Sequence, residues 1–299
     1  AKTYAYNIAL NHTKDKYADL NKDKANPMQV LLLCCVMKTQ ISWHAENTAT
    51  TSRERCGGQG FLAANRLGEG IVGGHAGITA EGDNRVLMQK IAKELLGLAN
   101  KKQIAKQSII NQLPSSIRRS IDGTLIGSLS DHRFLLRLLE AREAHRLTEL
   151  AVRLNQNKKK GKSLYDAWMF KESDAIQGLA QAYADRVIFK SCIERLKTCE
   201  EELHAVLSEL MTLTALDWIE KDLGWFLSKK VISAKMGRKV SDNARALCEQ
   251  IAPNAIGLID AFGIPEHMRH APIAGDWIAY NKTDNFGELL PEMQNKSKS

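Results

Sequence analysis

Residues 73–90 read GGHAGITAEGDNRVLMQK and hold the first group of side chains that could do chemistry. A lone carboxylate, Glu81, stands beside Gly82 and just before Asp83 and Asn84, where a helix-like pattern begins. Asp or Asn at a helix mouth is a good N-cap, because its side chain accepts hydrogen bonds from the free first-turn N–H groups. Those same N–H groups suit a bound phosphate. Glu81 sits one step outside, and Gly82 removes side-chain crowding beside it. A carboxylate so placed can reach into a cavity as a general base. Taken by spacing alone, the stretch is explained better as a cap.

The second group is RERCGGQGF, Arg53–Phe61. Glycines at 57, 58 and 60 let a backbone approach a ligand closely. This segment leaves a helix C-terminus rather than a strand, so it is not the dinucleotide fingerprint. An ordinary C-cap and turn explains it at least as well. His75 reads as structural. His267 and His270 have faintly metal-like spacing, but no carboxylate or thiol completes a ligand pattern, and no metal site is expected. The six cysteines, Cys34, Cys35, Cys56, Cys192, Cys199 and Cys248, form no CxxC pair. Free thiols in a reducing compartment are the expectation for a chain of this size.

The elements that must position these groups are helices. Lys, Leu, Ala and Glu are abundant and proline is scarce, with six in 299 residues. Residues 1–20 carry small and apolar residues at helical spacing. Asn26-Pro27 marks a helix start, and Val30, Leu33, Cys34, Met37 and Ile41 predict a buried stripe running toward Arg55, with Gly57 and Gly58 as the stop. Residues 56–82 are glycine-rich and show no apolar period, which predicts a long irregular loop of the kind that is usually functional. A helix is expected from about Asp83 to Gly97. LPSS at 113–116 predicts a break. Beyond Ser130 the pattern is helix after helix: to about Asn157, from 164 to 196 with a break near Ser173, two between 198 and 227 separated after Leu213-Thr214, and two more around 240–252 and 254–262 before a turn at Gly263. No strand pattern emerges. The fold class is all-α, most simply the end of one helical bundle followed by a second, with domains at 1–112 and 113–299.

A net charge of +8 would suit an anionic small molecule. The run Lys158-Lys159-Lys160-Gly161-Lys162 reads as a solvated loop between helices, since no aromatics are interleaved and no nucleic-acid motif appears. No apolar run reaches the roughly 18 residues of a membrane span, and no signal peptide is visible. The chain opens on Ala1 inside a helical pattern, which predicts a fragment or a chain processed from something longer.

The two motifs together carry a resemblance. CGGQGF followed by TAEGDNRVLMQKIAKELL resembles the acyl-CoA oxidases, the peroxisomal flavoenzyme branch of the acyl-CoA dehydrogenase superfamily. AKTYAYNIAL resembles a helix in the middle of those enzymes, and GIPEHMRHAPIAGDWIAYNKTDNFGELLP resembles their C-terminal end. The likeness covers essentially the whole chain but only the C-terminal half or less of the family's usual length. It implies that residues 1–112 belong to the dehydrogenase-like bundle and 113–299 to the oxidase C-terminal bundle. It implies that Glu81 is the catalytic base, removing the α-proton of an acyl-CoA while the β-hydrogen leaves as hydride to FAD, giving trans-2-enoyl-CoA and, through O2, hydrogen peroxide. It implies that Gly57, Gly58, Gln59, Gly60 and Phe61 approach FAD, often that of the neighbouring subunit of a dimer, and that Asp83 and Asn84 lie near the cofactor.

Two positions depart from the family pattern: Glu54 stands where relatives carry a cofactor-contacting glutamine, and Ala80 where an aromatic residue is usual. The resemblance also implies that most of the flavin and acyl-CoA site lies in an N-terminal portion outside this chain. That portion would be a separate chain or a lost segment, and this chain would be inactive alone. Peroxisomal placement rests on the family, since NKSKS is not an S-K-L-type ending. Two other readings stay open: a non-catalytic helical scaffold derived from an oxidase, and a dehydrogenase that uses a protein electron acceptor.

Overall fold

The structure is a computed structural model and describes residues 1–20, 22, 24–101, 124–269 and 271–282. Every regular element among the described residues is helical, as the all-α reading requires. In chain order the helices are α1 (Lys2–Leu20), α2 (Pro27–Arg55), α3 (Gly57–Phe61), α4 (Leu67–Thr79), α5 (Asn84–Lys101), α6 (His132–Lys159), α7 (Leu164–Asp166), α8 (Ser173–Leu196), α9 (Glu201–Lys221), α10 (Leu223–Ser228), α11 (Ala234–Ile251), α12 (Ala255–Asp260) and α13 (Trp277–Lys282). The expected break at 113–116, the domain boundary at 112/113 and His270 lie outside the described residues. The helices group into two compact units, one of Ala1–Ile41 with Glu81–Ala255, the other of Ser42–Ala80 with the described residues from Ile256 onward.

In the first unit, α8 is the central helix and packs against α1, α5, α6 and α9. Ile176, Leu179, Ile188 and Phe189 are fully buried on it, and Ala180, Ala182 and Ala184 let neighbouring helices come close. Helix starts follow local chemistry. The Asn26 side chain accepts from the N–H of Met28 at 2.9 Å, with Pro27 at the first helical position. Asp131 accepts from Arg133 N–H at 2.9 Å, and Ser233 from Met236 N–H at 3.2 Å.

A buried polar chain crosses this core. Arg142 donates to Asp185 at 2.5 Å, each side chain 3% exposed, and to Asp222 at 3.3 Å. Arg146 also reaches Asp222, at 2.7 Å. Gln181 donates to Asp185 at 2.8 Å and exchanges amide hydrogen bonds with Gln40. Burial pushes the Asp185 carboxyl up from its ordinary value, and the adjacent Arg142 guanidinium opposes it.

His132, half-buried at the start of α6, contacts Thr212 Oγ1 at 2.9 Å and lies edge-on to Phe189. Burial lowers its pKa from 6.5. A lowered histidine binds its proton more readily in the unfolded chain, so its contribution to stability is present above the unfolded value and lost as pH falls below it. Urea unfolding from pH 7.5 to pH 5.5 is therefore expected to show stability falling with pH, and His132→Gln to flatten that slope. Identical slopes in the two proteins would remove His132 as a source.

Three expectations are corrected. Residues 56–82 are not an irregular loop, because they fold as α3, a short 3-10 turn at Ala63–Asn65, and the thirteen-residue helix α4. The periodicity of α4 is carried by glycines. A Cβ on Gly74 would come within 2.8 Å of Glu46 Cα, and Gly70 and Gly77 face Ala49 and Ser42. These positions share one helical face and bring two backbones together, a pattern invisible to hydropathy. Second, α9 runs unbroken through Leu213-Thr214, because the buried Thr214 hydroxyl bonds the Leu210 carbonyl inside the helix. The break falls at Asp222, whose carbonyl accepts from Trp225 and Phe226. Third, within the stripe of α2, Val30, Leu33 and Met37 are buried, but Ile41 is half-buried and Cys34 is exposed.

Candidate functional site

The chain between α4 and α5 makes its turn with two consecutive left-handed residues, Glu81 at φ 56° and Gly82 at φ 97°. Glycine adopts this geometry freely, whereas glutamate does so at a cost of about 1–2 kcal/mol. A strained non-glycine residue persists only where its surroundings over-determine it, and such residues gather at functional sites. Glu81 is solvent-exposed. The turn therefore presents a carboxylate at the N-terminal end of α5 without burying it in a cap.

Capping belongs to Asp83 alone, which corrects the expectation that Asp83 and Asn84 share it. The Asp83 carboxylate accepts from the N–H groups of Arg85 at 2.8 Å and Val86 at 3.4 Å. Asn84 is the first residue of α5, and its side chain is fully buried. It donates to the Thr39 carbonyl at 3.3 Å and accepts from Lys38 Nζ at 2.8 Å. The Lys38 ammonium also donates to the Gly82 carbonyl at 2.6 Å. One cation on α2 thus ties down both the strained turn and the helix that follows it. Lys38 was not among the residues singled out from the sequence. The available signal was a lone lysine inside the apolar run VLLLCCVMKTQ, flanked by the buried Met37 and Thr39.

Space is not the constraint at Gly82, since a Cβ there would meet Leu87 Cδ2 at 3.4 Å, an ordinary contact; the left-handed backbone is. Gly82→Ala is expected to lower stability by about 1–2 kcal/mol, from the left-handed backbone alone. The midpoint and slope of urea unfolding check this. An unchanged midpoint would mean the turn relaxes without cost.

The glycine motif lies in the second unit. α2 ends at Arg55, and Gly57 takes φ 57° to start α3. Gly60 folds back on the end of α2, where a Cβ would overlap the Arg53 carbonyl, so only glycine fits. Gly57 and Gly58 are open: a Cβ on either would meet nothing within 4 Å. Phe61 is 82% exposed. The segment is held by Asn65, 3% exposed, which donates to the Gln59 carbonyl at 2.8 Å and accepts from the Ile273 N–H at 3.0 Å. Asn65 has no signature in the sequence, because a single asparagine in a glycine-rich stretch carries no pattern. His75 stands 3.8 Å from Glu46, within α4–α2 packing. Glu54 and Ala80 are exposed.

The exposed backbone of Gly57 and Gly58, with the exposed Phe61 ring nearby in the chain, is of a kind that fits a flat, phosphate-bearing cofactor such as FAD, while Gly60 is buried against α2. Among the described residues, no three His, Cys, Asp or Glu side chains are grouped to hold a metal ion. No helix among them is long and apolar enough to cross a membrane.

Comparison with known proteins gives a consistent set of relatives. The family model described as acyl-CoA oxidase matches residues 131–276, and the acyl-CoA oxidase C-alpha1 domain matches residues 1–96. Acyl-coenzyme A oxidase 2, peroxisomal, of Arabidopsis thaliana is 29% identical over 297 residues, covering 94% of this chain and 42% of that protein. Peroxisomal acyl-coenzyme A oxidase 3 of Homo sapiens is 25% identical, covering 82% of this chain and 37% of that protein. Among solved structures, an acyl-CoA oxidase from Lycopersicon esculentum superposes with a TM-score of 0.83 at 21% identity, over 96% of this chain and 46% of that one. Acyl-CoA oxidase-1 of Caenorhabditis elegans, complexed with FAD and ATP, gives 0.82 at 18% identity, over 99% and 47%. These structures share the fold. The chain spans about two fifths of the length of the curated relatives it matches.

Proposed function

Because the chain belongs to the acyl-CoA oxidase family and corresponds to its C-terminal portion, we propose that it supplies the α-proton acceptor of a flavin-dependent acyl-CoA oxidase. The observation that carries this reading is Glu81, an exposed carboxylate held in a left-handed turn that Lys38 braces. An α C–H is a poor acid, so its base must be positioned before the reaction rather than found by diffusion. The double anchor at Gly82 and Asn84 does that. Glu81 takes the α-proton of the acyl-CoA. Asp83 fixes the mouth of α5, and the buried Asn84 acts on the site by holding Lys38 against the turn, the role we assign it in place of direct contact with the cofactor. When bound, FAD supplies the hydride acceptor for the β-hydrogen and the route by which O2 becomes H2O2. Gly57, Gly58, Gln59, Gly60 and Phe61 would hold part of it, with Gly57 and Gly58 offering open backbone and Asn65 keeping Gln59 in place.

On this reading the product is a trans-2-enoyl-CoA, the working form is a dimer, and the remaining flavin and acyl-CoA contacts come from an N-terminal portion. Peroxisomal placement is supported by the names of the relatives. Domains at 1–112 and 113–299 are supported by family matches that fall on either side of that boundary. The test is reconstitution with an N-terminal oxidase portion. Flavin absorbance and acyl-CoA-dependent peroxide are expected only when both portions are present. Reduction of an artificial acceptor without peroxide would point instead to a dehydrogenase, and absence of flavin from the pair to a scaffold.

A further inference from the structure

We propose that the segment Lys158–Lys171 is a docking surface for an anionic lipid bilayer. The lysine run spans the end of α6 and the solvated turn that leads to α7. Lys158 and Lys159 close α6, Gly161 turns the chain at φ 76°, and Lys162 N–H returns to the Asn157 carbonyl at 3.1 Å. None of Lys158, Lys159, Lys160 and Lys162 forms an ion pair among the described residues.

The chain then presents apolar side chains to water. Leu164 is 72% exposed, Tyr165 64% and Phe170 68%, and the Tyr165 and Phe170 rings pack edge to face at 5.8 Å. Leu164 and Tyr165 lie on α7, and Phe170 on the π-turn that follows it over Ala167–Lys171, closed by Glu172 N–H bonding the Ala167 carbonyl. It is fixed from beneath: Trp168 donates to Gln89 at 2.9 Å, and the buried Glu172 accepts from Asn157 at 2.9 Å. The result is a braced apolar tip with lysines at its base. Lys171 is also exposed, and Asp166, the one exposed carboxylate of the segment, is taken up by the Ser163 hydroxyl.

The charge pattern selects the partner. Unpaired lysines require anions, and exposed leucine, tyrosine and phenylalanine require a hydrocarbon boundary. An anionic bilayer surface offers both within a few ångströms, and tyrosine and lysine are suited to its headgroup layer. A second copy meeting this tip across a two-fold axis would bring lysine run against lysine run. A single-stranded nucleic acid would stack on the aromatic rings but would gain nothing from Leu164.

The experiment is vesicle sedimentation of the 299-residue chain with phosphatidylcholine alone and with phosphatidylcholine containing phosphatidylserine. Retention is expected on the phosphatidylserine vesicles only, and is expected to be lost at high salt. Lys159→Gln/Lys160→Gln is expected to weaken retention on the order of 30-fold. Tyr165→Ser/Phe170→Ser is expected to weaken it roughly tenfold or more. These side chains face solvent, so circular dichroism and melting should match the parent and confirm that the fold is intact. Absence of retention on phosphatidylserine vesicles would overturn the proposal, as would equal retention on both vesicle types. Binding unaffected by the Tyr165/Phe170 pair would overturn it by showing charge attraction alone. Self-association abolished by Phe170→Ser, without vesicle binding, would assign the tip to a second copy.

Discussion

Glu81→Gln, in material containing this chain and an N-terminal oxidase portion, is expected to lower acyl-CoA-dependent peroxide formation about 100- to 10,000-fold. Glutamine keeps the size and polarity of the side chain but cannot accept the α-proton. The contacts that shape the turn do not involve the Glu81 carboxylate: Lys38 bonds the Gly82 carbonyl and Asn84, and Asp83 caps α5. Flavin absorbance should therefore match the parent while bleaching of the flavin by acyl-CoA under anaerobic conditions is lost. That split separates loss of the base from loss of the site. Parent-like peroxide formation would remove Glu81 from the role.

The second large effect concerns stability. Asp185→Ala is expected to cost about 3–5 kcal/mol, because it leaves a buried guanidinium without its main partner. Arg142 is only 2% exposed, and its remaining carboxylate, Asp222, is at the longer distance of 3.3 Å and shared with Arg146. Gln181 also loses an acceptor. A loss of that size is a large fraction of the roughly 5–15 kcal/mol that holds a typical domain together. Urea unfolding of the single variant measures it. Replacing both partners, as Arg142→Met with Asp185→Leu, is expected to recover much of the loss, since no unpaired charge remains. If the double variant is as weak as the single, packing rather than charge is the cause.

Much of the helical plan was legible locally. Asn26-Pro27 marked the start of α2, Gly57 its end, and the 164–196 region showed its break beside Ser173. Each rests on backbone groups within a few residues of the side chain that satisfies them. Helix α4 was illegible because its period is written in glycines, which have no hydropathy contrast and act through the close approach of Glu46. The break expected at Leu213-Thr214 does not form because Thr214 finds its partner inside the helix rather than competing with it.

The site divides in the same way. The amino-acid sequence by itself determined the all-α class that the described residues show, which carboxylate and which glycines are candidates, and that a cap would form at Asp83 or Asn84. Only the tertiary structure decided that Glu81 is left-handed and exposed, that Lys38 braces the turn from 44 residues away, and that Asn65 holds the glycine segment to a backbone N–H 208 residues on. It also decided that Tyr165 and Phe170 face outward beside the lysine run. The physical reason is range. Caps and periods are settled by neighbours along one helix, whereas strain, braces and exposure depend on which distant surfaces the fold brings together.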